Sequence, residues 1–168
     1  MFESLKENFN MSNKAKGSRT ERELIKLFTE HSWRAVRVAG SGVNDDSPCD
    51  LIVGKNARKG YTIEAKSSKK TLIYISNEQM HDFIMFTNMI GLRPVIAVRF
   101  NYEGWLFLDP KHLKSTDKAW GVSLKLAKEK GKRFSQYFEK ERSKEEETSD
   151  VEENIKMFEE MLKREAHH

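Results

Sequence analysis

Two short apolar segments, residues 49–54 (CDLIVG) and 61–68 (YTIEAKSS), are joined by only six residues, KNARKG. A link that short, with Gly60 in it, makes the two segments antiparallel neighbours in one sheet. Each carries charge where a buried strand should not: Asp50 heads the first, and Glu64 and Lys66 lie inside the second. A carboxylate buried without a partner costs several kcal/mol or shifts its pKa until it is neutral. Side chains alternate along a strand, so Glu64 and Lys66 share one face and Ile63 and Ala65 the other. Asp50 begins the neighbouring strand and can lie across from that pair. Two carboxylates held close repel unless a proton or a divalent cation sits between them. Mg²⁺ prefers oxygen ligands and keeps several waters around one or two carboxylates. A Mg²⁺ held by Asp50, Glu64 and a backbone carbonyl such as that of Ala65 is a chemically reasonable site. Lys66 would then face an attacking water or a phosphate. The plain alternative is a partly exposed Glu64–Lys66 pair worth about 0–1 kcal/mol.

The surrounding pattern supplies the frame. Residues 16–32 (KGSRTERELIKLFTEHS) read as a helix, with Ser18 and Glu21 spaced as a capping box and Leu24, Ile25, Leu27 and Phe28 recurring at helical intervals. Residues 33–40 read as a strand, 41–48 as a loop of turn formers, and 71–76 (TLIYIS) as extended. Residues 77–91 read as a helix closed by Gly91, with Met80, Phe83, Ile84 and Ile90 on one side. Residues 93–100 (RPVIAVRF) are a buried strand onto which 104–110 pair back. Residues 121–138 suggest one or two more helices. The order, helix, three strands, helix, two strands, helix, indicates an α/β or α+β sheet with helices on its faces.

Glu21 is the acid out of place on the first helix. It has Leu24, Ile25 and Phe28 at +3, +4 and +7, whereas Glu23 has Lys26, Leu27 and Glu30. Glu21 therefore lies on or beside the buried face. It is either the capping-box acid or a third carboxylate reaching the same site.

Charge is unevenly spread. The net charge of +4 divides into −5 for residues 139–168, with eleven acids and six Lys/Arg, and +9 for residues 1–138. A basic body suits a polyanion such as nucleic acid, and solubility alone is the competing explanation. One Cys excludes an internal disulfide and suggests an intracellular, cytoplasmic chain. No apolar run approaches a membrane span, and residues 1–13 lack a signal-peptide pattern and read as a loose leader. His31, His81 and His112 have no ligand spacing. The expected organisation is a leader over 1–13, one main domain over 14–138 and a charged, flexible or weakly helical tail over 139–168. Within the tail, Ile155, Phe158 and Leu162 form an amphipathic stripe. It could dock on a partner such as a sliding clamp or fold back on the basic body.

The run from Pro48-Cys49-Asp50, through thirteen intervening residues, to Glu64-Ala65-Lys66 resembles the PD-(D/E)xK nuclease motif. The wider series KGSRTERELIKLF, AVRVAGSG, PCDLIVG, YTIEAKSS, YISNEQM and PVIAVRF…WLF resembles, in order, the archaeal Holliday-junction resolvases of the Hjc type. The likeness runs from about Lys16 to Phe107 and more loosely to Phe138. It implies a restriction-endonuclease-like core with a central mixed five-stranded sheet flanked by helices. It also implies a homodimeric, Mg²⁺-dependent endonuclease, with Mn²⁺ substituting, that nicks opposed strands of four-way junction DNA. On that resemblance Glu21, Asp50, Glu64 and Lys66 are catalytic, and the first three hold metal. Ser41 lies in a DNA-facing loop near the scissile phosphate and joins the catalytic set. Lys16, Arg19, Arg22, Arg37 and Lys69 are DNA contacts, and Phe86 and Ile90 belong to the dimer face. Nucleoid association follows from such a role. Two departures stand out: Cys49 follows the motif proline, where a small buried residue is expected, and Asp45 and Asp46 add acid to the loop.

Basic residues also cluster at Lys55, Arg58 and Lys59 in the hairpin and at Lys69 and Lys70 after the third strand. With no zinc spacing, recognition helix or RNP-type aromatic motif, recognition should be of shape and backbone. A two-fold dimer would match the symmetry of a junction's two scissile phosphates. Fold does not fix substrate, so a restriction-like duplex nuclease, a single-strand nuclease and a non-catalytic junction-binding dimer share these features.

Overall fold

The computed structural model describes residues 19–38, 47–56, 59–140 and 143–166. The first helix, α1, covers residues 19–30. Its period places Leu24 and Phe28 fully inside. It ends where Trp33 N–H returns to the Phe28 carbonyl at 2.9 Å and Ser32 takes a left-handed φ of 62°. Strand β1 is Arg34–Arg37, β2 is Leu51–Asn56 and β3 is Lys59–Ser68. β2 pairs antiparallel with both neighbours, in the register Leu51↔Ile63 and Arg37↔Leu51. The short link thus forms the hairpin its length requires. A Cβ at Gly60 would lie 2.8 Å from the Leu92 Cδ2, so a side chain there would require the Leu92 tip to turn aside.

After β4 (Leu72–Ser76) and helix α2 (Asn77–Met89), strand β5 (Arg93–Phe100) joins β3 in parallel, from Tyr61↔Arg93 to Ser68↔Phe100. Strand β6 (Leu106–Leu108) turns back antiparallel onto β5. The order β1-β2-β3-β5-β6 is the mixed five-stranded sheet expected from the sequence. A second sheet, β4-β8-β7, with β7 at Lys114–Ser115 and β8 at Ala119–Ser123, has no counterpart in that reading. Residues 121–123, expected to begin a helix, instead end β8. Val122 is buried opposite Ile73, and Gly121 lets the Tyr74 ring approach to where a Cβ would meet it at 3.3 Å. Helix α3 starts only at Leu124–Lys130, capped by Ser123, and Ser135–Glu139 forms a single π-turn.

The main sheet separates two cores. On the α1 side, Phe28 and Phe107 pack edge to face on each other and on Phe134 and Phe138, with Phe28–Phe138 centroids at 5.0 Å and Phe107–Phe138 at 4.9 Å. On the α2 side, Met80, Phe83 and Ile84 pack over Ile96 and Val98. Thr62 Oγ1 and Thr87 Oγ1, 2.5 Å apart in the buried interior, tie β3 to α2 two residues before Glu64.

The tail folds back on the body. Residues Lys144–Glu165 form helix α4, opened by a complete capping box of Ser143 and Glu146. It rests on the α2 side through Met157, Phe158 and the buried Met161. Its acidic first half meets Lys111, which contacts Glu153 and lies 3.7 Å from Asp150. The buried face is turned from the stripe seen in the sequence: Ile155 and Leu162 remain 46% and 39% exposed, while Asn154 and Met161 go inside. Unbranched methionines fill the irregular surface of α2 better than branched side chains do.

Candidate active site

The β2–β3 ladder ends where the motif begins. Asp50 N–H still bonds to the Ile63 carbonyl at 3.0 Å, but the next backbone N–H, that of Ala65, donates to the Asp50 carboxylate at 2.7 Å. A side chain thus replaces the partner strand at this step. N–H and C=O of one strand residue point the same way, so the Ala65 carbonyl opens toward the same side. Glu64 projects onto the α2 face, only 2% exposed, where Lys66 Nζ reaches its Oε1 at 2.8 Å. A second donor, Gln79 Nε2 from the first turn of α2, reaches the same oxygen at 2.8 Å. Glu21 approaches from the other face, since α1 is anchored there by Thr20, 3.4 Å from Ser67. Its carboxylate pairs with the Arg37 guanidinium from β1.

The electrostatics follow from burial. Glu64 is pushed up to about 7, first by desolvation; Lys66 opposes the shift, and Asp50 and Glu21 add to it. Asp50 is raised by burial against the Ala65 N–H, Lys66 and Arg37. Glu21 is raised by burial and by Asp50, with Arg37 and Arg22 acting against it. Cys49 is a small buried residue as expected, its thiol driven up to about 12 by burial and by the same carboxylates. Asp50 and Glu64, both raised and adjacent at Ala65, repel each other in a way that a cation between them would relieve. The donors are all oxygen, which suits a hard divalent cation taking one or two carboxylates, a carbonyl and waters.

The three-carboxylate ligand set is not assembled as a unit. Among the described residues no group of three or more His, Cys, Asp or Glu side chains is spaced to hold one ion. Asp50 and Glu64 flank Ala65, while the Glu21 carboxylate is engaged by Arg37. Glu21 is therefore placed beside the pair, at a distance where it acts on Asp50 and Glu64 through its charge.

The expected DNA contacts divide into groups. Arg22 is exposed on α1, and Lys69 lies exposed just beyond β3. Arg37 is half exposed beside Glu21. Arg19 leans on Glu23, which also pairs with Arg99. Lys55 and Lys59 are at the far end of the hairpin, Lys59 about 23 Å along β3 from Lys66 at the usual strand rise. They are remote from the carboxylates. Lys16, Ser41, Asp45, Asp46 and Arg58 lie outside the described residues. Phe86 packs half-buried against the α2-side core, and Ile90 and Met89 are exposed at the end of the same helix. Sequence reasoning passed over Gln79, although it stands in the quoted stretch YISNEQM; a neutral residue on an apolar helix gives no charge signal.

The mixed sheet, with two carboxylates and a lysine where its hairpin opens, defines a nuclease core of the restriction-endonuclease-like class. A model of the archaeal Holliday junction resolvase (Hjc) family matches residues 12–146. The crossover junction endodeoxyribonuclease Hjc of Archaeoglobus fulgidus is 31% identical over 132 residues, covering 74% of this chain and 96% of the relative. Its counterpart in Methanocaldococcus jannaschii is 38% identical over 110 residues, covering 64% of this chain and 75% of the relative. The solved structure of Archaeoglobus fulgidus Hjc, a Holliday junction resolvase, superposes with a TM-score of 0.66 at 25% identity, over 76% of this chain and 99% of that one. The chain belongs to the archaeal Holliday junction resolvase (Hjc) family. The family match stops at residue 146, so nearly all of α4 lies beyond it.

Proposed function

We propose that this protein is a metal-dependent endodeoxyribonuclease that resolves four-way DNA junctions by paired, symmetric nicks. The observation that carries the reading is the meeting of Asp50, Glu64 and Lys66 at the open end of the β2–β3 hairpin, with Glu64 raised to about 7. Asp50, Glu64 and the Ala65 carbonyl hold a divalent cation, Mg²⁺ with Mn²⁺ as a substitute. Once bound, that cation supplies Lewis acidity toward a phosphodiester and lowers the pKa of a coordinated water. Lys66 stays beside Glu64 and stabilises charge that develops on the phosphate oxygens. Glu21 orients Arg37, which together with Arg22, Arg19, Lys69 and Lys16 contacts DNA phosphates. Ser41 completes the catalytic set, as the family resemblance implies. The products are a 5′-phosphate and a 3′-hydroxyl.

A two-fold homodimer places two such sites to match the two scissile strands of a junction. The exposed Ile90, with Phe86 beneath it on α2, is the surface for that contact. Residues 14–138 act as the nuclease unit. Val151, Ile155 and Leu162, exposed on α4, are left for a partner such as a sliding clamp. No helix among the described residues is long and apolar enough to cross a membrane, and the enzyme works inside the cell on the nucleoid.

The test is cleavage of a fixed four-way junction, a matched duplex and a single strand by the same preparation in Mg²⁺. The junction is expected to be cut in preference to both, at symmetric positions on opposed strands. A preference for duplex or single strand would overturn the resolvase reading while leaving a nuclease. Tight junction binding with no cutting in Mg²⁺ or Mn²⁺ would overturn catalysis.

A further inference from the structure

Gln79 holds the third position of α2, where its backbone N–H donates to the N-cap Ser76 hydroxyl at 3.1 Å. Ser-x-x-Gln is the spacing of a capping box, in which the third side chain turns back toward the cap. α4 closes such a box with Ser143 and Glu146. At α2 the side-chain amide reaches across to β3 and donates to Glu64 Oε1 at 2.8 Å. Lys66 Nζ meets the same oxygen at 2.8 Å. Two donors on one oxygen fix the plane of the carboxylate and leave Oε2 outside this pair of bonds. The donor is itself held rigidly: the cap sets the first turn, Met80, Phe83 and Ile84 bury the next two, and Thr87 joins Thr62. A side chain so anchored aims a functional group more closely than one on a loop.

We propose that Gln79 is a positioning residue for the metal site. Its amide locks Glu64 so that Oε1 stays with Lys66 and Oε2 faces the divalent cation; this rests on the metal-dependent reading above. Hydrogen-bond partners of ligating carboxylates typically govern metal affinity or activity by 10–100-fold.

The test compares the full-length wild type with Gln79→Leu, which keeps bulk and removes the amide, and with Gln79→Ala. Mn²⁺ binding to the metal-free protein is followed by electron paramagnetic resonance without DNA. Thermal melting, junction binding in Ca²⁺ and cleavage across a Mg²⁺ titration complete the set. Both variants are expected to bind Mn²⁺ about tenfold more weakly, with cleavage half-saturation displaced alike and the rate recovering at high Mg²⁺. Junction binding and melting should stay near wild type for Gln79→Leu. Unchanged Mn²⁺ affinity and half-saturation in both variants would overturn the assignment. So would cleavage lost at every Mg²⁺ concentration in step with a lowered melting temperature, which would make the contact structural. A wild type that binds no Mn²⁺ would overturn the metal-dependent reading itself, whatever the variants do.

Discussion

Lys66→Ala is expected to lower junction cleavage by about 10²–10³-fold at neutral pH, the usual cost of losing one preorganised group facing developing charge. The ammonium has two tasks in this geometry. It lies 2.8 Å from Glu64 Oε1 and is the largest influence holding that carboxyl down against its burial. It also belongs to the open side of the hairpin, where a phosphate would sit. Without it Glu64 titrates above about 7, and the protonated acid no longer takes a cation. The rising limb of the pH–rate profile should therefore move to higher pH in the variant, and part of the rate should return there. Single-turnover rates from pH 6 to 9 with constant Mg²⁺ measure both effects. A variant with the wild-type rate and profile would remove Lys66 from the site.

The second large effect concerns stability in the absence of metal. Glu64 titrates near 7 in the folded protein against an ordinary value of 4.5. Below 4.5 the carboxyl is protonated in both states and burial carries no charge penalty. Between 4.5 and about 7 the unfolded chain releases the proton and the folded one retains it, so folding stability falls as pH rises. Above that range the penalty is complete, about 3 kcal/mol at roughly 1.4 kcal/mol per pKa unit. Glu64→Gln removes the penalty but leaves Lys66 without its partner, so a net gain of about 1–3 kcal/mol is expected at pH 8. The gain should vanish near pH 4.5. Urea denaturation in EDTA at the two pH values measures it, and added Mg²⁺ should stabilise wild type but not the variant. A variant that loses equal stability at both pH values would mean that the Glu64–Lys66 pair is a net structural support.

The site was legible because its constraints are local. The six-residue link sets the pairing of β2 with β3, strand alternation sets the shared face of Glu64 and Lys66, and both appear in the register. The burial of Glu21 was legible from three apolar neighbours on its helix, and its side chain is less exposed than that of Glu23. Its engagement by Arg37 was not, because Glu21 and Arg37 meet only when α1 packs on the sheet. The second sheet was hidden for a similar reason. β8 pairs with β4 some forty-seven residues away, Ile75↔Trp120 being almost as far apart in sequence, and its short run ends in a serine that reads equally well as a helix cap. α4 was legible only in part, as a weak helix with a stripe at Ile155, Phe158 and Leu162, because charge obscured the rest. Nine acids and four Lys/Arg in Lys144–Glu165 mask a face whose hold on the body depends on Met157, Phe158 and Met161. Ion pairs of the kind Lys111 makes with Asp150 and Glu153 contribute little by themselves. The apolar face anchors the helix, and the charges decide which way its acidic half points.

In the proposed reaction, Asp50 and Glu64 hold the cation with which this chain cuts junctions. The most direct measurement is nicking of a fixed four-way DNA junction in Mg²⁺ by wild type and Glu64→Gln, with junction binding followed in parallel. Glu64→Gln keeps the shape of the side chain and removes its charge. Wild type should make paired symmetric nicks, and Glu64→Gln should lose them while still binding the junction. Equal cutting by the two proteins would contradict this role of Glu64, and would make the buried carboxylates a structural feature of the sheet.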